Sequence, residues 1–174
     1  MAYFRGVMNR GRQCIEHLTG LAPFEIHCGT FHQLDKLKEA DYHATLLQYR
    51  LALSLPGAGD MCHRDIECLA LGIPMVRPKI TAKLICPIPD EAYIPVEYEK
   101  SLDYLTNPER HKPWHPKDPQ QLALDLQSKA WDVMEDRGYL RSVSQAGYRY
   151  YLEHHQWPQP ARRALGLVQG HWHA

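Results

Sequence analysis

Four short apolar runs near the start of the chain set the strongest limit on what it can fold into. They are AYFRG (2–6), PFEIHC (23–28), LALSL (51–55) and IPMV (73–76). Segments with helical patterning separate them. Gln13 to Leu18 puts Cys14, Ile15 and Leu18 on one face, and Gly20 would end it. Leu34 to Leu47 is polar with helical propensity. Cys62 to Leu71 reads as a helix closed by Gly72. Apolar runs alternating with helices at this spacing make parallel strands joined by crossover helices. Ala92 to Val96 offers a fifth strand. Two amphipathic helices follow, Gln120 to Arg137 with Gly138 as its stop, then Tyr139 to His155. The expected fold class is therefore α/β, a Rossmann-like parallel sheet flanked by helices, with two C-terminal helices. Residues 1–156 form one domain in this reading, and 157–174 form a poorly ordered tail.

Composition narrows the function classes. Apolar residues make up 44% and charged residues 23% of 174, enough to build one buried core and too apolar for a disordered chain. The formal net charge is zero, which argues against a general nucleic-acid binder. No run of about 18 apolar residues is present, so no membrane span is expected. The five cysteines, Cys14, Cys28, Cys62, Cys68 and Cys86, are odd in number and lack a C-x-x-C spacing. They read as reduced thiols. With no apolar signal-peptide stretch near Met1, the expected location is cytoplasmic.

In an open parallel sheet, ligands bind beyond the C-terminal ends of the strands. Two loops there carry suitable chemistry. The first, FRGVMNRGR (4–12), precedes a helix whose N-terminus offers free N–H groups. Arg5, Arg10 and Arg12 are guanidinium donors that match phosphate oxygens, and Gly6 and Gly11 let the backbone approach closely. A diphosphate cradle and a solvated basic turn fit this spacing equally. The second loop, PGAGDMCHRDIE (56–67), has Gly57 and Gly59 for a tight turn and Asp60 as an N-cap. On a helical wheel Asp60, Arg64 and Glu67 point in one direction, away from Ile66, Leu69 and Ala70. An arginine there suits phosphate and a carboxylate suits ribose hydroxyls. By spacing alone, a surface i,i+3 ion pair is the simpler reading.

The stretch LSLPGAGDMCHRDIECLALGIPMVRP resembles the donor-binding segment of GT-B glycosyltransferases, most of all the exostosin-like and CgeB-like groups. In those groups a strand, a glycine loop and an R-x-x-E helix precede a G-x-P-V-type strand. YFRGVMNRGRQCIEHL resembles the first strand, basic loop and helix of the same C-terminal half, and GYRYYLEHH resembles its closing helices. The resemblance implies a glycosyltransferase donor-binding domain. A nucleotide-diphosphate sugar would be its substrate, with no permanently bound cofactor and no metal. It implies Glu67 at the ribose, Arg64 near the diphosphate, and Arg5, Gly6, Arg10 and Arg12 near the donor phosphates. It further implies a partner N-terminal acceptor domain that this chain lacks. The E-x7-E spacing of retaining members is absent, since Gly59 stands eight before Glu67. A non-catalytic nucleotide or sugar-nucleotide binding module, or a protein-interaction module, is the alternative.

Eleven histidines invite a metal reading, but no Cys/His spacing matches a zinc site. They read as solvated or core-edge side chains. Trp114, in the Pro-rich loop at 107–119, reads as packing back on the domain.

Overall fold

A computed structural model describes residues 1–7, 12–29, 38–57, 59–81, 84, 86–109 and 112–156. Arg10, Gly11, the start of the expected second helix and the tail from 157 lie outside these residues.

The expected α/β class is the observed one. Five strands, β1 (Ala2–Val7), β2 (Phe24–Gly29), β3 (Leu51–Leu53), β4 (Met75–Pro78) and β5 (Ile94–Val96), form one sheet in the order β2-β1-β3-β4-β5. Every pairing is parallel. β1 pairs with β2 from Ala2 opposite Phe24 to Val7 opposite Gly29, and with β3 at Ala2–Leu51 and Tyr3–Ala52. The chain therefore starts in the sheet, steps outward to β2, and returns across β1 to β3. The reversal lies between β1 and β3, whose connections run to helices on opposite faces of the sheet; in open parallel sheets this switch point is where a crevice forms.

Period-two alternation sorts side chains onto the two faces. Ala2, Phe4, Leu51, Leu53, Val76 and Ile94 join one core. That face carries α1 (Cys14–Leu18) and α4 (Pro119–Met134), through Ile15, Leu18, Leu122, Leu126 and Ala130. Tyr3, Ala52 and Met75 join the other core, under α2 (Glu39–Leu46) and α3 (His63–Leu71), through Leu46, Cys68 and Leu69. Burial raises the thiols of Cys14, to about 12, and of Cys68 above its ordinary value, so both are packing groups.

The last helix, α5 (Arg137–His154), ties the two cores together. Leu140 and Val143 lie in the first, Tyr150 in the second. The expected break at Gly138 falls elsewhere. α4 ends at Met134, and the Asp136 carboxylate caps α5 by accepting the Tyr139 N–H at 2.9 Å. Gly138 is therefore inside the first turn of α5, because a side-chain cap two residues earlier already starts the new helix.

Gly147 has no room for a side chain. A Cβ there would sit 2.9 Å from the Ala92 carbonyl oxygen and 2.9 Å from Leu69 Cδ2. Alanine at an open helix site gains about 1 kcal/mol over glycine, but overpacking costs about 1–3 kcal/mol. Gly147→Ala is expected to lower the urea unfolding midpoint. A raised midpoint would show that α5 slides freely over the 90–92 turn. No helix among the described residues is long and apolar enough to cross a membrane.

Candidate functional site

The crevice between β1 and β3 is lined from both sides by arginine. Arg12, just before α1, is nearly buried and donates its Nε–H to the Pro56 carbonyl at 3.2 Å. The loop after β1 is thereby tied to the loop after β3. Arg64, in the first turn of α3, donates its Nε–H to the Tyr42 hydroxyl of α2 at 3.1 Å. Both guanidiniums lie over the ring of Phe4, Arg64 at 4.5 Å and Arg12 at 5.5 Å from its centroid. Phe4 is fully buried, so its ring is a fixed platform with its negative face toward the two cations.

Two like charges held close repel each other. Burial, and then the charge of Arg64, push the Arg12 guanidinium below its ordinary value. Arg64 Nη1 is buried with no hydrogen-bond partner among the described residues. An unmet buried N–H costs free energy, and a phosphate oxygen is an acceptor that would satisfy it.

Two of the glycines make room for Arg12. A Cβ on Gly6 would lie 2.9 Å from Arg12 Nη1, and one on Gly57 would lie 3.3 Å from Arg12 Nη2. The space beside Gly6, expected to let a ligand's phosphate approach closely, holds the Arg12 guanidinium, and so does the space beside Gly57. Gly59 stands apart, lining a cavity of about 420 Å³ with Met61, Cys62, His63, Ile66 and His155.

The remaining sequence-predicted residues separate. Arg5 is half-buried on β1, two residues after Tyr3 and so on the α2/α3 face of the sheet, the opposite face from Phe4. Arg10 is outside the described residues. Glu67 lies one turn beyond Arg64 and points to α2, where its Oε1 is 3.8 Å from His43 Nε2. Asp60, Arg64 and Glu67 do not share one stripe, because Asp60 is outside the helix. The N-cap of α3 is Cys62, not Asp60.

Asp60 instead belongs to a buried ionic cluster that sequence reasoning missed. Its centre is Arg77 on β4, fully buried. Arg77 Nη1 is 2.5 Å from Asp65 Oδ1, and Nη2 donates to the Asp60 carbonyl at 2.5 Å and lies 3.3 Å from Asp60 Oδ1. Asp65, at the third position of α3, also accepts the Ser54 hydroxyl at 2.7 Å and the Cys62 N–H at 2.6 Å. Asp60 Oδ2 accepts the Thr81 N–H at 2.7 Å and its hydroxyl at 2.9 Å. The available signals were an arginine at the end of an apolar strand and an acid three residues after Cys62, the spacing of a capping box.

Among the described residues no three His, Cys, Asp or Glu side chains gather as a metal site. No protein-family profile, curated protein or solved structure matches the chain.

Proposed function

We propose that the β1/β3 crevice binds the diphosphate of a nucleotide sugar, and that the chain is the donor-binding part of a GT-B-type glycosyltransferase. One observation carries this reading. Two arginines, one just before α1 and one in the first turn of α3, meet over one buried phenyl ring at the sheet's switch point, and Arg64 keeps a buried N–H without an acceptor among the described residues. A diphosphate would bring negative charge to the two guanidiniums and an oxygen acceptor for Arg64 Nη1. The R-x-x-E helix and the glycine loop that resemble those enzymes are the elements that form this crevice. Glu67 would hold the ribose in that family pattern, and it would have to turn from His43 to do so.

The non-catalytic binding module is the second reading, and a specific observation favours it. Asp60 and Asp65, the carboxylates on either side of Arg64 in the chain, are already engaged by Arg77. The cations that line the crevice are guanidiniums, which bind anions and do not abstract protons.

Calorimetric titration with UDP, GDP and a UDP-sugar tests the reading. Arg64→Ala is expected to weaken diphosphate binding about tenfold or more, at least 1.4 kcal/mol. Glu67→Ala weakens nucleoside diphosphates but leaves inorganic pyrophosphate unchanged if it meets ribose. A folded wild-type chain that binds none of these ligands sinks the donor-site reading. Sugar transfer to an added acceptor separates the enzyme from the module.

A further inference from the structure

We propose that Arg77 is the positioning residue of this crevice. By clamping Asp60 and Asp65 it sets the β3–α3 loop that holds Arg12 and presents Arg64. The inference rests on the reading of the crevice as a diphosphate site.

Arg77 is fully buried on the α3 face of the sheet; its Nε and Nη2 donate to the Pro78 and Asp60 carbonyls, and its Nη1 is ion-paired with Asp65 although outside hydrogen-bond geometry. It therefore acts through what it holds. The loop between β3 and α3 contains Gly57 and Gly59 and has no regular structure across 54–57. Glycines leave such a segment many backbone conformations, yet both arginines depend on its shape. Arg12 needs the Pro56 carbonyl where it stands, and Arg64 leaves the helix one residue before Asp65. Arg77 fixes this segment at two points: the Asp60 main-chain carbonyl and the Asp65 carboxylate. Asp60 extends the hold to Thr81, beyond β4. The exits of β3 and β4 are thus joined through one guanidinium. Its planar fork holds acceptors at fixed positions on separate edges, a geometry that a compact lysine ammonium does not reproduce.

Arg77→Lys is the discriminating variant, because it keeps a positive charge between the two carboxylates. The probes are UDP, GDP and inorganic pyrophosphate, titrated well below the unfolding midpoint so that all molecules are folded. The expected result is a fall in affinity of about tenfold with two further signatures. Hydrogen exchange rises in the segment 57–62 and stays unchanged in β1 and α4. The salt dependence of binding stays as in wild type, since Arg77 never meets the anion, whereas Arg64→Ala flattens it. Unchanged affinity or unchanged exchange in the loop overturns the clamp, even if Arg64→Ala abolishes binding and so upholds the site. A flattened salt dependence in Arg77→Lys also overturns it, since that would mean direct contact. Wild type that binds no probe overturns the diphosphate reading, and exchange in Arg77→Lys then reports whether the loop is held at all.

Discussion

Replacing Arg77 with methionine is expected to cost about 3–5 kcal/mol of stability, the range for removing one partner of a buried ion pair. The magnitude comes from what remains. Asp60 and Asp65 are both buried, and Arg77 is the cation between them. Methionine fills much of the volume and supplies no donor, so two carboxylates would face each other in a dry interior. Ser54, Thr81 and the Cys62 N–H still donate to them, which keeps the loss from exceeding that range. Urea unfolding of wild type and variant measures it. A loss below about 1 kcal/mol would mean that water readily replaces the guanidinium, and that the cluster is not sealed from solvent.

The second large effect is at Phe4. Phe4→Ala removes a ring from the centre of the first core and is expected to cost about 3–5 kcal/mol. Phe4→Leu retains most of the volume and should cost less than about 1.5 kcal/mol. The two variants divide packing from recognition. Leucine provides no π face beneath Arg12 and Arg64, and cation–π contacts contribute roughly 0.5–2 kcal/mol each. Phe4→Leu should therefore stay folded and bind pyrophosphate several-fold more weakly. Equal affinity in Phe4→Leu and wild type would show that the ring does not orient the two guanidiniums and that their hydrogen bonds suffice.

The strands and helices were legible because their signals are local. Phe24, Ile26 and Cys28 alternate with Glu25 and His27, and β2 follows that alternation. Leu122, Leu126, Ala130, Val133 and Met134 keep helical spacing, and α4 buries that face. The two loops that meet at the crevice were also visible, as basic and glycine-rich stretches. What local pattern lacks is the strand order. Arg12 and Arg64 become neighbours only because β1 lies beside β3.

Asp60 illustrates a competing signal. An acid after a glycine turn looks like an N-cap, but the helix begins two residues later because Asp65 reaches back to the Cys62 N–H. Arg77 was hidden for a related reason. A cation ending an apolar strand suggests solvent, and its burial depends on carboxylates 12 and 17 residues upstream (Asp65 and Asp60). Such long-range neutralisation has no periodicity. Glu67 shows the limit of wheel geometry, since its partner His43 belongs to another helix.

The acceptors that hold the β3–α3 loop are in large part main-chain atoms, the carbonyls of Pro56 and Asp60. Every residue type carries a carbonyl, so substitution at position 56 leaves that acceptor in place. If the crevice takes the diphosphate proposed for it, side chains along its rim could change while the loop path is retained, so that shape and ligand preference would rest on different atoms of the same segment.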